Sequence, residues 1–485
     1  MATSYILLKN ATVIPMEGAG QNVIDKCDIL IENDRIKAVE KDIPNLTGKN
    51  GTIIDATDCI ITPGFVDGHH HMWQHLLRGL TVDWSLYGYC CHLRTVYGSL
   101  YTPEDVYFAN YAAALSLLNN GVTTVLDHCH VINSPAHADA AVRGLKDAGI
   151  RGTFCYGLYP NPPVPGDLAS AANDTFTPAL RLDDAARVQQ EHFANNEIDA
   201  SLITFGVALN EPPLQSREES VAELDASRKL GARLITVHTS VMPGDVVKGE
   251  VIQNFSNAGR MAPDLVFSHA AYTTADELAA LQKSGAGVVS TPDTELQMGM
   301  GYPVAWKAMD RGCRACLGLD ITSNQGNDFM AQMRLALQVQ RARELDRRVD
   351  QLLPRKTVDA LRLATIGGAE VMQMESAVGS ITPGKKADLV IFRCDDIDTV
   401  PVVDPIGTVV FHASPKNIDT VIVNGKIVKR DGQLVGVDWE TLREEVRTRS
   451  QRLRDDAAKV DMTNAETLFK AAFEKGMEEA TRALP

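Results

Sequence analysis

Residues 59–71 read Cys-Ile-Ile-Thr-Pro-Gly-Phe-Val-Asp-Gly-His-His-His. The apolar run that opens this stretch is bounded by turn residues and predicts a short buried strand that ends where the histidines begin. Successive side chains of an extended segment point to opposite faces, so His69 and His71 share one face and His70 points away from them. Two imidazoles on one face of a strand can share a metal ion, which is the first hypothesis that the sequence raises.

Apolar runs of this kind recur along the chain, with helical patterns between most of them. Two helix starts are marked by Thr-Pro-Glu-Asp at 102–105 and by Thr-Thr-Ala-Asp-Glu at 273–277. We predict an α/β fold, a (β/α)8 barrel with its chemistry at the C-terminal ends of the strands. An open doubly wound sheet is the rival, but no glycine-rich phosphate turn follows any run. The eight runs are Ile60–Val66, Thr123–Asp127, Gly152–Leu158, Ile203–Leu209, Leu234–His238, Leu265–His269, Gly287–Ser290 and Ala315–Asp320.

The two ends of the chain carry a different pattern of short apolar runs and turn signals. The N-terminal runs predict antiparallel strands joined by tight turns such as Glu32-Asn33-Asp34, and Asn424-Gly425 predicts a hairpin near the other end. Neither block is long enough for a core of its own, so we predict one small β-sandwich built from both. The N-terminal runs are Tyr5–Leu8, Thr12–Ile14, Asp28–Ile31 and Arg35–Val39.

These patterns divide the chain into four predicted parts. Residues 1–58 and 378–437 form the sandwich, residues 59–377 form the barrel, and residues 438–485 form a helical extension. Two interpretations of the extension stay open: it covers the barrel or a subunit partner, or it is a solvated surface helix.

The composition excludes several classes of protein. A content of 45% hydrophobic residues is typical of a globular protein. The net charge of −15 disfavours nucleic acid or an anionic membrane as a partner. No apolar run approaches the roughly 20 residues that cross a bilayer, and no secretory signal opens the chain, so we expect a cytoplasmic protein. The nine cysteines are not a disulfide framework, and Cys313-Arg314-Ala315-Cys316 is interpreted as buried thiols rather than a redox or metal site.

Three further polar residues end predicted strands. His238, His269 and Asp320 each close an apolar run, where a barrel directs the side chain towards the active-site mouth. Any one of them alone is better explained as a capped strand end than as a ligand. Together with the histidine pair of the first strand they form a set of imidazoles and a carboxylate, which suits zinc or another divalent first-row metal.

With these residues the chain resembles the metal-dependent amidohydrolase superfamily, in its branch of aminohydrolases and s-triazine hydrolases. The similarity runs from the first strands to about residue 430 and is specific for the superfamily but not for a substrate. It rests on Pro63-Gly64-Phe65-Val66-Asp67-Gly68-His69-His70-His71, His238, His269, Gly318-Leu319-Asp320, Ala364-Thr365-Ile366-Gly367-Gly368-Ala369, Gly379-Ser380-Ile381 and the segment from Pro383 to Val390.

The resemblance implies a site with one divalent metal ion, zinc in most relatives and iron in some. The implied ligands are His69, His71, His238 and Asp320, and His269 is expected to contact the attacking water or the substrate. A bound cation lowers the pKa of its water towards 7. Asp320 is then the expected general base, and His269 the group that stabilises the charge of the tetrahedral centre. Since no lysine lies near the ends of the third and fourth runs, we expect no carbamylated lysine and no second metal.

One position departs from the family pattern. Deaminases of this branch usually carry a glutamate three residues after the histidine of the fifth strand, and here that position is Val241. Either another acid takes its place or the reaction is not an ordinary deamination. The candidates are Glu295, just beyond the seventh run, and Glu211, just beyond the fourth. For Glu211 a solvated loop acid is the better interpretation, whereas for Glu295 the two interpretations are balanced.

The connection from Met72 to Tyr101 is long and rich in aromatic residues. Long loops on the catalytic face of a barrel are commonly lids or substrate walls. Two interpretations stay open here: Trp73 and Trp84 stack on a planar substrate ring, or the loop packs a small core of its own. Gln74 occupies the place of a glutamine that often contacts substrate in the family.

Four polar residues near the site are expected to support it. His70 is predicted to face the core or a partner behind the site. For Asp127, His128 and His130, which end the second run, a structural role at the mouth is favoured over a catalytic one.

The sequence therefore predicts a metal-dependent hydrolase that acts on a carbon–nitrogen bond other than a peptide bond, in a cyclic or aromatic small molecule. Hydrolytic deamination leads, while hydrolysis of an amide, lactam or urea and displacement of a group such as halide are the alternatives. A ligand-binding barrel without catalysis is the non-enzyme alternative, disfavoured by the complete ligand set. A homo-oligomer, either dimer or tetramer, is also expected.

Overall fold

The computed structural model describes residues 5–18, 22–46, 51–167, 175–211, 215–241, 251–345 and 353–483. Eight parallel strands form a barrel, and each strand pairs with its neighbours in chain order. The predicted (β/α)8 barrel is confirmed. Its strands 1 to 8 are Phe65–His70, Val122–Cys129, Arg151–Gly157, Ile203–Ala208, Ile235–Thr239, Leu265–His269, Gly287–Ser290 and Arg314–Leu317.

The first predicted run corresponds to two strands rather than one. Cys59–Pro63 belongs to the sheet formed by the chain ends, and the barrel begins only at Phe65. The chain changes sheets at Gly64, whose amide donates to the Asp388 carbonyl (2.9 Å). A β-carbon at Gly64 would lie 2.0 Å from the Thr123 hydroxyl, so only glycine fits this close approach.

The barrel closes through the residues that follow strands 1 and 8. Strand 8 ends at Leu317, three residues earlier than predicted, and a separate parallel bridge joins His70 to Asp320. The Asp320 amide donates to the His69 carbonyl (2.9 Å), and the His71 amide donates to the Asp320 carbonyl (2.8 Å). Two of the predicted ligand positions are therefore tied together by backbone hydrogen bonds at the seam of the barrel.

The two chain ends form one mixed sheet of nine strands, which confirms the prediction of a β unit built from both. The runs Tyr5–Leu8 and Thr12–Ile14 form a single strand, and the two strands at 51–55 and 59–63 run parallel to it rather than antiparallel. The predicted hairpin is present, with positive φ at Asn424 (50°) and Gly425 (73°). The strands are Tyr5–Val13, Ile24–Glu32, Arg35–Glu40, Gly51–Asp55, Cys59–Pro63, Leu389–Arg393, Ile418–Val423, Lys426–Arg430 and Gln433–Leu434.

A buried ion pair joins the mixed sheet to the barrel. Arg151, at the start of barrel strand 3, donates to both carboxylate oxygens of Asp388 (2.7 and 3.1 Å) and to the Asn424 side chain (3.0 Å). Both charged side chains are 2% exposed. The Asn424 amide donates to the same carboxylate (2.7 Å), so the pair also fixes the hairpin.

Helices surround the barrel, and both predicted helix starts are confirmed. Thr102 and Asp105 cap one helix reciprocally, and Thr274 and Glu277 cap another in the same way. Among the described residues, the α-helices of at least six residues are Pro103–Asn119, Pro135–Ala148, Pro178–His192, Arg217–Lys229, Val251–Asn257, Ala275–Ser284, Pro292–Gln297, Ala305–Asp310, Phe329–Leu345, Thr357–Ala364, Ile366–Val371, Trp439–Ala457 and Thr463–Ala483.

The last two helices cover the connection that follows barrel strand 1. Arg449 and Arg452 of helix Trp439–Ala457 both pair with the buried Asp105 carboxylate. The Tyr87 hydroxyl of the connection donates to the Glu466 carbonyl of the last helix (2.8 Å). Within the described residues, no helix has the length and apolar character to span a membrane. All nine cysteines are free thiols, and Cys313 and Cys316 are buried.

Candidate metal centre and active site

Five predicted residues meet at the C-terminal ends of the barrel strands. Nε2 of His69 and Nε2 of His71 lie 3.4 and 3.5 Å from Oδ1 of Asp320. Nε2 of His238 lies 3.3 Å from Nε2 of His71, and the rings of His69 and His269 are 5.2 Å apart between centroids. Two sets of three donors, which share His69, each fall within 4.8 Å of one another: His69, His71 and Asp320, and His69, His238 and His269.

Hydrogen bonds on the far side of two of these rings fix their protonation. His71 Nδ1 contacts the His128 carbonyl (2.7 Å), and His238 Nδ1 contacts the Glu211 carboxylate (2.8 Å). Since a carbonyl and a carboxylate only accept hydrogen bonds, each Nδ1 carries the proton, and a neutral ring then presents a lone pair at Nε2. The two Nε2 lone pairs therefore converge at 3.3 Å, an arrangement in which they could bind one cation together.

The ionisation states agree with a cation site. Burial, followed by the neighbouring imidazoles, holds the pKa of His71 well below its usual value, and burial lowers the pKa of His69 to about 3. Burial alone raises a carboxyl pKa, but the His69 and His269 imidazoles bring the pKa of Asp320 below its usual range. Neutral imidazoles and an ionised carboxylate are the donors that zinc and related divalent metals take.

The backbone at the site is held in an uncommon conformation. His269, Ala270 and Asp320 have φ values of 70°, 50° and 62°, in the left-handed region that residues other than glycine rarely adopt. Such conformations cost free energy and persist where the surrounding structure imposes them, which is common at functional sites. Here the Ala270 amide donates to the Thr239 carbonyl (2.9 Å), and Asp320 is held by the barrel seam.

Glu295 lies beside His269, as its position in the sequence suggested. Its Oε1 is 3.6 Å from His269 Nδ1 and accepts a hydrogen bond from the Thr291 amide (2.7 Å). Its other oxygen is buried without a hydrogen-bond partner in the described part of the chain. Burial raises the pKa of Glu295, and although burial lowers that of His269, contact with Glu295 and the charge of Asp320 raise it overall. This pair can hold and transfer a proton.

Glu211 contacts a different histidine. Its hydrogen bond to His238 Nδ1 (2.8 Å) makes it the carboxylate behind a candidate metal-binding ring, rather than a solvated loop acid. Burial raises its pKa, but the interaction with His238, which includes the hydrogen bond, outweighs that effect and the pKa is lowered. Val241 is half-buried and packs against the apolar core.

The expected support behind the site is present. His70 turns away from His69 and His71, and its Nδ1 lies 2.9 Å from the Asp67 carboxylate. Asp67 also accepts from the amides of His69 (3.2 Å) and Leu319 (3.0 Å), so it links the chain after strand 8 to the histidine segment.

His128 and His130 stack on the candidate ligands. The His128 ring lies 4.3 Å from the His238 ring at 11°, and the His130 ring lies 4.0 Å from the His71 ring at 20°. Asp127 instead faces the interior behind the site, where it accepts from Asn110 (3.0 Å). These placements agree with the structural role favoured for the three residues.

Besides His269, the three candidates for substrate binding differ in burial and in the residues that they contact. Trp73 is fully buried and donates from Nε1 to His130 Nδ1 (2.8 Å). It thus contacts the ring that stacks on His71. Gln74 is also buried and donates to the Tyr89 hydroxyl (2.7 Å). Trp84 is half-buried against His92, which belongs to the same connection (ring centroids 5.6 Å apart). Their roles in substrate binding stay predictions.

The sequence did not single out two residues beside the site. Arg94 Nη1 lies 2.7 Å from His130 Nδ1, and its guanidinium carbon lies 4.7 Å from the centre of the Tyr159 ring. Arg94 belongs to a π-helix, Tyr89–Tyr97, and Tyr159 follows barrel strand 3. Tyr159 could have been recognised as a site candidate because it follows a barrel strand. Nothing in the sequence pattern around Arg94 indicates that it lies near the site.

Residues 60–428 match the Amidohydrolase family, and the chain belongs to it. A 5-methylthioadenosine/S-adenosylhomocysteine deaminase of Thermococcus kodakarensis is 28% identical over 436 residues, which cover 87% of this chain and 93% of that protein. The protein of the same name from Symbiobacterium thermophilum is 28% identical over 457 residues, 92% of this chain and 99% of its own.

Solved structures share the fold. An adenosine deaminase from Xanthomonas campestris with bound zinc superposes with a TM-score of 0.80 at 21% identity, over 93% of this chain and 98% of that one. An atrazine chlorohydrolase from Arthrobacter aurescens in complex with zinc gives 0.78 at 20% identity, over 92% and 100%. The predicted superfamily and the predicted class, a hydrolase of carbon–nitrogen bonds other than peptide bonds, are confirmed.

Proposed function

We propose that this protein is a hydrolytic deaminase of an amino-substituted heterocycle and uses one divalent metal ion, zinc or alternatively Fe²⁺. The observation that carries the proposal is the convergence of the His71 and His238 lone pairs with the Asp320 carboxylate, beside an acid–imidazole pair. The proposed ligands are His69, His71, His238 and Asp320. The deaminase names of the relatives support the reaction.

When bound by His69, His71, His238 and Asp320, the cation would supply Lewis acidity, which lowers the pKa of water towards neutrality. Asp320 accepts a proton from the attacking water, since its carboxylate stays ionised. His269 donates a hydrogen bond to the charge that develops on the tetrahedral centre. Glu295, whose pKa is raised by burial, carries a proton to the leaving nitrogen through or beside His269.

Glu295 thereby takes the place of the acid that is missing at Val241. Glu211 is less suited to this role because its contact with His238 favours the ionised form. We assign Glu211 a positioning role, in which it keeps the proton on His238 Nδ1 and the lone pair on Nε2. Gln74, Trp73 and Trp84 stay candidates for substrate contact, and the oligomeric state and a cytoplasmic location stay predictions of the sequence.

A screen of the zinc-loaded protein tests the proposed reaction. The panel contains adenosine, 5-methylthioadenosine, S-adenosylhomocysteine, other amino-substituted purines and pyrimidines, lactams, ureas and a chlorotriazine, and every product is identified by mass. We expect ammonia from at least one amino-substituted ring, with the amino group replaced by oxygen. Ring opening or chloride release without ammonia from any compound would instead favour the alternatives that Val241 leaves open.

A further inference from the structure

Arg94 places a positive charge beside the proposed metal centre. Its Nη1 lies 2.7 Å from His130 Nδ1, and the His130 ring stacks on the His71 ring at 4.0 Å. The guanidinium carbon lies 4.7 Å from the centre of the Tyr159 ring and 5.9 Å from that of Trp73. The charge is thus one imidazole away from a proposed metal ligand.

This charge has no carboxylate in direct contact in the described part of the chain, and the Glu211 carboxylate acts on it only from a longer distance. No carboxylate of these residues lies within 4 Å of the Arg94 side chain, whereas the buried Arg151 pairs with Asp388 at 2.7 Å. His130 does not compensate the charge, because its Nδ1 also accepts from Trp73 Nε1 (2.8 Å) and is therefore the unprotonated nitrogen. A half-buried guanidinium without an anion in hydrogen-bond contact is costly, so its position here points to an anion that arrives from outside the chain.

Tyr159 provides a second, independent sign of a ligand. Its hydroxyl is buried and has no hydrogen-bond partner in the described residues, and the residue is 3% exposed. An unsatisfied buried hydroxyl costs free energy that a bound acceptor recovers. Because the Arg94 guanidinium lies over the Tyr159 ring, the two unsatisfied groups belong to one small region at the end of barrel strand 3.

We propose that Arg94 and Tyr159 form a subsite for a carboxylate of the substrate, so that the enzyme acts on amino-substituted rings that carry a carboxylate. A carboxylate accepts two hydrogen bonds from a guanidinium and another from a phenol, and it neutralises the buried charge. A neutral carbonyl would satisfy the donors but leave the charge uncompensated. This inference rests on the proposed function for the reacting end of the substrate.

Calorimetric binding to the zinc-loaded protein tests the subsite with two matched pairs of compounds. The first pair is 6-aminonicotinate and its neutral amide. The second is S-adenosylhomocysteine, whose amino-acid group carries a carboxylate beside an ammonium, and 5-methylthioadenosine, which lacks that group. In the wild-type protein we expect the member that carries the carboxylate anion, in at least one pair, to bind about tenfold more tightly than the member without it. Arg94→Met should remove that preference and leave the affinity for the neutral compound unchanged. Tyr159→Phe should reduce the preference in part.

Arg143→Met is the matched control, since Arg143 lies over the Tyr107 ring (4.4 Å) away from the site and should retain the full preference. The inference is overturned if neither pair shows a preference for the anion in the wild-type protein, including the case of no measurable binding, or if Arg94→Met keeps the preference. The ammonia screen is a separate readout. Deamination without anion preference would contradict only the subsite, and anion preference without ammonia from any compound would contradict only the proposed reaction.

Discussion

Asp320 and His69 are joined twice, once through the backbone and once through their side chains. The Asp320 amide donates to the His69 carbonyl (2.9 Å), and Asp320 Oδ1 lies 3.4 Å from His69 Nε2. The backbone contact belongs to the seam that closes the barrel, and the side-chain contact belongs to the proposed metal centre. Closure of the barrel therefore sets the separation of these two donors before any metal binds.

Asp320→Ala should abolish turnover and leave the fold intact. The seam depends on the Asp320 backbone, which the substitution retains, whereas the proposed proton acceptor and metal ligand are lost. We expect kcat to fall by at least about a thousandfold. Steady-state kinetics measure the loss, and circular dichroism with thermal unfolding checks the fold. Activity near that of the wild type in a folded Asp320→Ala variant would refute the proposed mechanism.

Glu295→Gln should lower kcat without releasing metal. The substitution keeps the volume and the contact with the Thr291 amide but removes the proton that the buried acid carries. A loss of about a hundredfold to ten-thousandfold is the usual cost of a general acid. Kinetics and metal analysis of the same preparation separate the two effects. Loss of metal in parallel with activity would show that Glu295 supports the centre rather than the proton transfer.

Glu211→Gln should weaken metal binding. The neutral glutamine side chain at position 211 no longer attracts the proton on His238 Nδ1 by its charge. The Nε2 lone pair of His238 is then less well oriented towards a metal ion. Substitutions of this kind cost about ten- to a hundredfold in metal affinity, measured by competition with a chelator. The control is Glu218→Gln, on an exposed helix surface, which should bind metal as the wild type does. Equal affinities for the two variants would remove the positioning role of Glu211.

Arg151→Met should destabilise the whole chain because it leaves the Asp388 carboxylate buried without its partner. Removal of one member of a buried pair typically costs about 3–5 kcal/mol. The matched surface substitution is Arg393→Met, which breaks the ion pair between Arg393 and Asp419. Because the Arg393 side chain is 44% exposed, the loss should cost about 1 kcal/mol or less. Urea unfolding measures both. Similar costs for the two variants would mean that this buried pair does not join barrel and sheet as strongly as we infer.

The ionised Asp28 carboxylate should stabilise the folded chain near neutral pH and lose this effect in acid. Burial raises its pKa, but hydrogen bonds from Lys9 Nζ (2.6 Å) and from the amides of Asn10 and Ile43 outweigh burial and lower the pKa. Because the folded pKa lies below the unfolded one, this contribution is complete above about pH 4 and is lost as the pH falls through the folded value. The free energy of unfolding should therefore fall less steeply between about pH 5 and pH 2 for Asp28→Asn than for the wild type. Parallel pH profiles would contradict this assignment.

The sequence was sufficient for the barrel, and it singled out the imidazoles and the carboxylate that meet at its mouth, because strands and strand ends depend on local pattern. Strand periodicity located barrel strands 2 to 8 to within about three residues, and His238 and His269 stand at or next to strand ends. The division of the first run at Gly64 was not predictable, since it depends on the contact with Thr123, which is distant in sequence.

Contacts between loops were also beyond the sequence. Glu211 was interpreted as a solvated acid because nothing local indicates that His238 lies 2.8 Å away. Arg94 belongs to no recognisable sequence motif. It stands out only in the structure, where no described carboxylate contacts it and the Trp73 and Tyr159 rings lie close to its guanidinium. Such residues become visible only when separate connections of the barrel meet at its mouth.

The metal content of the purified protein tests the central claim most directly. After removal of metal with a chelator and reconstitution with zinc, elemental analysis should find about one equivalent per chain in the wild type and a large loss in His71→Ala. The same sample should release ammonia from its substrate only when zinc is restored. Less than about half an equivalent in the reconstituted wild-type protein, or equal zinc in His71→Ala, would contradict a metal centre built on these residues.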